Sequence, residues 1–231
     1  MKLDLLKALN AARRERRAAI LVTDTKTGEA RLVGEKDAAR DPLAGEIEKR
    51  FRSGRSGMLE DGGTFLTVQV PPPRLVVIGA VHISQALAPM AKLAGFDVTI
   101  IDPRTAFATP ERFPDVPLIA EWPEEALKDV PLDAYTALAA LTHDPKIDDI
   151  PILSALAAEC FYIGALGSRK THGKRQERLM QQGASSTGLE RIHAPIGIDV
   201  GASSPAEIAV AILAEIIAAL RRGRQAERIA A

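Results

Sequence analysis

The stretch from Leu75 to Asp102 constrains the fold more than any other part of the chain. It opens with Leu75-Val-Val-Ile78, four consecutive apolar residues of which three are β-branched, as is typical of a central parallel strand. Gly79 follows, then a helical pattern that closes on a glycine, and then a second strand, Phe96–Asp102, which ends in a carboxylate. A strand, tight turn, helix, strand and acid within about 30 residues predict a βαβ nucleotide-binding unit, in which Asp102 would meet a ribose hydroxyl.

The glycine loop departs from the usual dinucleotide-binding pattern. The three positions of a G-x-G-x-x-G loop fall on Gly79, Val81 and Ser84. The second glycine normally lets the pyrophosphate approach the backbone, and here the branched side chain of Val81 stands in that place. His82 either caps the turn or contacts a ligand, since both of its ring nitrogens can donate to an anion. The pattern therefore predicts the fold but speaks against NAD binding at this loop.

Three consecutive prolines, Pro71–Pro73, divide the chain into two predicted domains, because proline is stiff and cannot donate to a β-ladder. Residues 1–70 read as a small mixed α/β domain, with a helix over residues 1–19, a hairpin, a second helix and a strand. Residues 74–231 alternate strands and helices, which predicts a doubly wound parallel sheet. The predicted fold class is α/β.

Capping signals predict where several helices begin. Asp41 is expected to be the N-cap of a helix over Pro42 to Phe51. A second helix is expected near Ile150 to Glu159. In the last third of the chain, Ser204 and Glu207 form a capping box at the start of a long terminal helix.

Composition narrows the functional classes. The 231 residues are 46% hydrophobic, which can fill a core, and Lys plus Arg equal Asp plus Glu at 30 each. The balanced charge and the 4% aromatic content argue against nucleic-acid and membrane-surface binding. With one cysteine the chain has no internal disulfide, and without a signal-peptide pattern or a transmembrane pattern it is expected in the cytoplasm.

Polar residues follow the predicted strands of the second domain. Ligands bind outside the carboxyl ends of strands in open α/β sheets, so the candidate site residues are those at these ends. They are Gly79, Val81, His82, Ser84, Asp102, Arg104, His143, Asp144, Gly167, Ser168, Arg169 and Lys170. His143 and Asp144 could position a substrate or act as an acid/base pair, but Asp144 is better explained as the N-cap before Pro145.

The run from Gly167 to Lys170 is the most specific candidate for an anion site. It combines a strand end, the small hydroxyl of Ser168, a new helix N-terminus and the charges of Arg169 and Lys170. A phosphate or a phosphate-bearing cofactor fits this chemistry. The alternative is an ordinary capped, solvated basic helix.

Other catalytic chemistry finds little support in the sequence. The four histidines lack metal-ligand spacing, and no nucleophile elbow or Walker loop occurs, so no catalytic or metal-binding residue is assigned. Cys160 lies at the amino end of its strand, away from the expected ligand edge. Packing is its expected role.

Several longer motifs extend from residue 74 to about 220 in a fixed order. They are Leu75–Leu87, Val98–Arg104, Phe107–Phe113, Leu141–Lys146, Phe161–Lys170, His193–Gly197 and Glu207–Val210. Together they resemble the XdhC/CoxI family of xanthine dehydrogenase accessory factors. The resemblance implies a C-terminal Rossmann-like domain and a role in maturing molybdenum hydroxylases. A family member is thought to hold the molybdenum cofactor, protect its sulfurated form and hand it to the apoenzyme.

The resemblance also implies partners and leaves alternatives. The apoenzyme of a xanthine or carbon monoxide dehydrogenase would be the main partner, and a cysteine desulfurase and a second copy of the chain are further candidates. Longer members carry a cysteine in the N-terminal domain, which residues 20–65 lack. A thiol-based role in sulfuration is therefore not expected. A cofactor chaperone without turnover is the leading hypothesis, ahead of an NAD(P)-binding oxidoreductase and a structural adaptor that binds no ligand.

Overall fold

A computed structural model describes residues 2–223 of the chain. Within this range the backbone forms two compact units, residues 2–71 and Pro72–Gly223. The predicted final residues of the second domain, 224–231, lie outside the described range. No helix among the described residues is long and apolar enough to cross a membrane.

The first unit is built on a four-stranded antiparallel sheet in the order β2-β1-β4-β3. Its elements are α1 (Leu3–Arg14), β1 (Ala19–Asp24), β2 (Ala30–Gly34), a 3-10 helix (Glu35–Arg40), α2 (Ala44–Ser53), β3 (Gly57–Met58) and β4 (Thr64–Gln69). Apolar side chains of β1 and β4 pack with Ile47 of α2 to form its core. The unit thus has the mixed α/β character that the sequence predicts.

Two helices of this unit begin or end away from their predicted positions. The first ends at Arg14 instead of reaching residue 19. The second begins at Ala44, not at Pro42, and its N-cap is Leu43. Asp41 instead follows the 3-10 helix in an extended conformation, and its carboxylate accepts the Leu43 N–H and pairs with Arg31. The prediction failed because the sequence pattern did not reveal the 3-10 helix.

The second unit contains a six-stranded parallel sheet in the order β10-β9-β8-β5-β6-β7. The chain begins in the middle at β5, adds β6 and β7 on one side, and then crosses to add β8, β9 and β10 on the other. This is the strand order of the Rossmann fold. The elements are β5 (Arg74–Ile78), α3 (His82–Leu93), β6 (Asp97–Ile101), β7 (Leu118–Ile119), α4 (Pro123–Asp129), β8 (Thr136–Ala140), α5 (Pro145–Ala157), β9 (Tyr162–Ala165), α6 (Arg169–Gln181), α7 (Ser186–Leu189), β10 (Ile192–His193) and α8 (Pro205–Gly223).

Helices cover both faces of this sheet. Every residue of β5 is buried, and its side chains alternate between two cores. Leu75 and Val77 pack in the core that contains α3 and α8, whereas Val76 and Ile78 pack in the core of α4, α5 and α6. The continuous apolar run of β5 follows from this double coverage, since neither face meets water.

The caps of two helices in this unit test the sequence predictions. The capping box of α8 is confirmed, since Ser204 N–H donates to the Glu207 carboxylate and Glu207 N–H donates to Ser204 Oγ. The helix expected near Ile150 in fact begins at Pro145, with Asp144 as its N-cap. Proline suits the first helical position because the N–H it lacks is not needed there.

Candidate functional site

The candidate site lies at the carboxyl ends of β5 and β8, where the strand order reverses. The two strands pair in parallel, and their following loops lie side by side. Gly79 at the end of β5 has φ +116°, and a Cβ there would lie 2.8 Å from Thr142 Cγ2 after β8. Only glycine allows the two strand ends to come this close, so Gly79 shapes the floor of the crevice.

The loop after β5 is held by three side chains. The Ser84 hydroxyl donates to the Gly79 carbonyl, and the Asp102 carboxylate accepts the Ala80 N–H at 2.7 Å. Arg112 Nη1 donates to the Ala80 carbonyl at 2.9 Å. The sequence reading did not single out Arg112 as a site residue, although it lies in one of the motifs quoted for the family resemblance. The loop backbone is therefore fixed before any ligand arrives.

Asp102 stands at the end of β6 as predicted, but its oxygens are occupied by the chain itself. The residue is fully buried, and Arg104 binds it through Nε and Nη2 at 2.9 and 2.8 Å and through its backbone N–H. Burial alone would raise the pKa of Asp102, but the hydrogen bonds from Arg104 and Ala80 outweigh burial and hold the pKa below its ordinary value. Asp102 thus positions the loop, and its carboxylate has no exposed surface to offer a ribose.

The first turn of α3 faces the same crevice. Val81 is the N-cap and has no side chain that could accept a hydrogen bond from the helix. His82 is exposed, with Nδ1 3.1 Å from the Gln85 side-chain oxygen. The positive end of this helix is consequently available to a ligand, although the Val81 side chain limits how closely a phosphate could approach.

The loop after β8 brings His143 to the edge of the sheet in an unusual conformation. His143 has φ +64°, which side-chain-bearing residues rarely adopt. Partial burial of its ring and the nearby charge of Arg175 lower the pKa of His143. Asp144 caps α5 by accepting the Lys146 N–H at 2.9 Å, as the sequence indicated for this residue.

Asp148, one turn further along α5, was not predicted. It is buried, and its Oδ1 accepts the Thr142 hydroxyl at 2.7 Å, which fixes the loop that carries His143. Its Oδ2 has no hydrogen-bond partner within residues 2–223. Burial raises the pKa of Asp148 to about 6.

The loop after β9 lies next to His143. Gly167 has φ +136°, and a Cβ on it would be 3.7 Å from His143 Nδ1, so the two loops are in contact distance. Ser168 caps α6 through the Thr171 N–H at 3.2 Å. Arg169 and Lys170 are exposed in the first turn of α6. The helix start is therefore both capped and basic, which combines the two readings of this segment.

Lys170 also borders a cavity of about 320 Å³ between α6 and the start of α5. Further basic residues of α6, Lys174, Arg175 and Arg178, line this cavity together with His143. The sequence reading placed Arg175 further along the helix but did not see that it is buried. The signal was the spacing of basic residues along the amphipathic helix, which a solvated face would also produce.

The remaining cysteine and histidines lie outside this group. Cys160 is buried in the core, where burial raises the pKa of its thiol to about 12, in keeping with a packing role. His193 in β10 contacts Glu215 of α8 at 3.0 Å and the Tyr162 ring at 4.8 Å between centroids. No group of three or more His, Cys, Asp or Glu residues suited to a metal ion occurs in the described part of the chain.

The structure thus brings the predicted residues of three loops to one edge of the sheet, with Asp102 and Ser84 supporting the first loop from within. The fold and this crevice define the class: the second unit is a Rossmann-type domain whose ligand edge is rich in cations and fixed loops.

The chain belongs to the XdhC family, because residues 75–216 match the family's XdhC Rossmann domain. Among curated proteins, it is 33% identical over 175 residues to the uncharacterized protein YqeB of Escherichia coli, covering 72% of this chain and 31% of that protein. It is also 33% identical over 153 residues to a probable xanthine dehydrogenase subunit of Bacillus subtilis, covering 66% and 44%.

A third relative is the molybdenum cofactor insertion chaperone PaoD of Escherichia coli, 32% identical over 147 residues, or 63% of this chain and 40% of PaoD. The chain therefore spans less than half the length of these relatives. A solved structure described as a xanthine dehydrogenase of Bacillus halodurans superimposes with a TM-score of 0.67 at 24% identity, over 96% of this chain and 68% of that one. That likeness concerns the fold.

Proposed function

We propose that this chain is an accessory protein that binds the molybdenum cofactor at the carboxyl edge of its parallel sheet and assists its maturation and insertion into a molybdenum hydroxylase. The observation that carries the proposal is the convergence of three fixed loops, those of Gly79, His143 and Gly167, at the point where the strand order reverses. The name of the relative PaoD supports the choice of cargo.

The site is better suited to holding a ligand than to turnover. Its loops are fixed by Ser84, Asp102, Arg112 and Thr142, and the exposed groups at its edge are mainly cationic donors. Such an arrangement binds an anionic molecule and shields it from water without requiring a nucleophile. The receiving apoenzyme, of the xanthine or carbon monoxide dehydrogenase type, is the proposed partner.

A sulfur source must be external in this scheme. The single cysteine of the chain, Cys160, is buried, and its raised pKa keeps the thiol protonated. It is therefore unsuited to carrying sulfur to a bound cofactor. This supports the proposal that a cysteine desulfurase supplies sulfur from outside.

An NAD(P)-binding oxidoreductase is the second candidate, and the strand order favours it. Two observations oppose it. The carboxylate of Asp102 is buried and bound by Arg104 and Ala80, and the Val81 side chain occupies the place where a pyrophosphate would meet the loop. A structural adaptor without a ligand would not need the fixed loops.

The test is isothermal titration of the chain with isolated molybdenum cofactor under anaerobic conditions and, separately, with NADH. We expect saturable cofactor binding that weakens at least tenfold in His143→Ala and Arg169→Ala. Lys128→Ala is the matched control, because Lys128 is an exposed lysine in the last turn of α4, far along the chain from the three loops. Binding of NADH alone would favour the oxidoreductase, and binding of neither ligand would favour the adaptor.

A further inference from the structure

The cavity beside the end of β8 is lined almost entirely by basic residues. Its volume is about 320 Å³, and its wall consists of His143 together with one face of α6 that carries Lys170, Lys174, Arg175 and Arg178. None of the described residues that line it is acidic. The cavity therefore concentrates positive potential in a small concave space.

Only part of this charge is neutralised by the protein. Arg178 forms a two-pronged ion pair with Asp149, with N–O distances of 2.7 and 3.0 Å. Lys170 and Lys174 are exposed and form no ion pair within residues 2–223. Two flexible ammonium groups thus stand at the mouth of the cavity, free to close on an anion.

Arg175 contributes a charge that water does not reach. The residue is only 2% exposed, and its Nη2 donates to the Leu166 carbonyl at 2.9 Å. Its Nε and Nη1 are buried and have no hydrogen-bond partner in the described part of the chain. A buried guanidinium with unused donors is costly to the fold, and such a group is explained when an anion completes its surroundings.

His143 adds a backbone feature to the same wall. Its left-handed φ of +64° costs conformational energy, and the Thr142–Asp148 hydrogen bond holds the loop in place. The strained residue therefore presents its imidazole at the cavity as a fixed group. Strain of this kind is concentrated at ligand sites.

We propose that this cavity binds a phosphate group in the form of a terminal phosphomonoester, with Arg175 as the buried countercharge and Lys170, Lys174 and His143 around its oxygens. A phosphomonoester carries close to two negative charges at neutral pH and has three free oxygens, which suits three unneutralised cations better than a singly charged phosphodiester does. The inference rests on the proposed function only for the molecule that carries the phosphate.

The first experiment uses inorganic phosphate as the probe, titrated into the full chain at constant ionic strength with chloride as the reference. We expect saturable binding, measured by calorimetry, and a rise in the pKa of His143, measured by NMR titration of its ring protons. The pKa should rise because the bound dianion offsets the Arg175 charge that lowers it. The His143→Gln variant assigns the signal.

Variants of two kinds test which groups form the site. Arg175→Met and Lys174→Met should each weaken phosphate binding at least tenfold, whereas Lys128→Met, on a different helix, should bind like the wild type. If Arg175→Met does not fold, the comparison of the two lysine variants still decides, because both lysines are exposed. Absence of saturable phosphate binding, or equal binding by the two lysine variants, would overturn the proposal.

A competition experiment identifies the source of the phosphate. If inorganic phosphate displaces molybdenum cofactor and Arg175→Met weakens both, the cavity holds the phosphate of the cofactor. Phosphate binding that depends on Arg175 in a chain that binds no cofactor would support the site and refute the proposed function. Cofactor binding that is equal in wild type and Arg175→Met would refute the cavity as its phosphate seat and leave the proposed function standing.

Discussion

Replacement of Asp102 by asparagine is expected to destabilise the second unit and loosen the loop that follows β5. The substitution keeps the shape of the side chain but removes its charge, and it turns one accepting oxygen into an NH2 group. In the structure the two carboxylate oxygens accept four donors, the Ala80 N–H and three N–H groups of Arg104. At least one of these donors would then face another donor.

The magnitude follows from the burial of the two partners. The Ala80 N–H is buried, and leaving such a group unsatisfied costs about 1–3 kcal/mol. The side chain of Arg104 is 33% exposed, so it can turn partly to water, and its loss is discounted to about 1 kcal/mol. We therefore expect Asp102→Asn to lower the free energy of unfolding by about 2–4 kcal/mol at neutral pH.

Urea denaturation followed by tryptophan fluorescence measures this loss. Trp122 is the only tryptophan of the chain and lies in the second unit, so its signal reports that unit. Asp97→Asn is the matched control, because Asp97 is an exposed aspartate at the other end of the same strand. Equal stability of the two variants would refute the assignment of Asp102 as the residue that holds the loop.

The pH dependence supplies an independent check on the sign. Since the folded pKa of Asp102 is lowered, its stabilising contribution is present above the unfolded value near 3.8 and is lost as the pH falls through the folded value. The stability difference between wild type and Asp102→Asn should therefore narrow below about pH 4. A difference that stays constant into acid would show that the charge of Asp102 contributes nothing.

Three further changes have expected outcomes that equilibrium unfolding can measure. Because the pKa of Asp148 is raised to about 6, wild-type stability should fall as the pH rises from 4 to 6, and Asp148→Asn should gain about 3 kcal/mol on wild type over that window; a flat difference contradicts this. Gly164→Ala should destabilise by about 1–3 kcal/mol, because its Cβ would lie 2.5 Å from the Ile196 side chain, whereas Gly173→Ala in α6 meets nothing within 4 Å and should be neutral or stabilising. Tyr162→Phe should cost about 1.5–3 kcal/mol through loss of the 2.6 Å hydrogen bond to the Glu215 carboxylate, and an unchanged midpoint would show that this bond contributes nothing.

The position of the site could be predicted from the sequence because it depends on local patterns. The apolar run of β5, the glycine after it and the acid after β6 each have a distinct signature within a few residues. Together they fix a parallel sheet, and the edge at which strands end follows from the fold. The cap at Asp144 was also readable, since a carboxylate before Pro145 is a local signal.

The bonding within the site could not be predicted in the same way. The sequence placed Asp102 at the strand end but could not show that Arg104 and the Ala80 N–H occupy its oxygens, because that depends on side-chain directions. Arg175 was read as one charge on a solvated helix, since periodicity gives the face of a helix but not its depth. The start of α5 was misplaced because Pro151 suggested a break, yet the helix continues through it.

The crevice is assembled from loops that lie far apart along the chain, after β5, β8 and β9. A partly folded chain therefore has no partial site, and a ligand that binds there adds its binding free energy to the stability of the whole second unit. The empty carrier should unfold and be degraded more readily than the loaded one. The amount of this protein in a cell would then follow the supply of its ligand without a separate regulator.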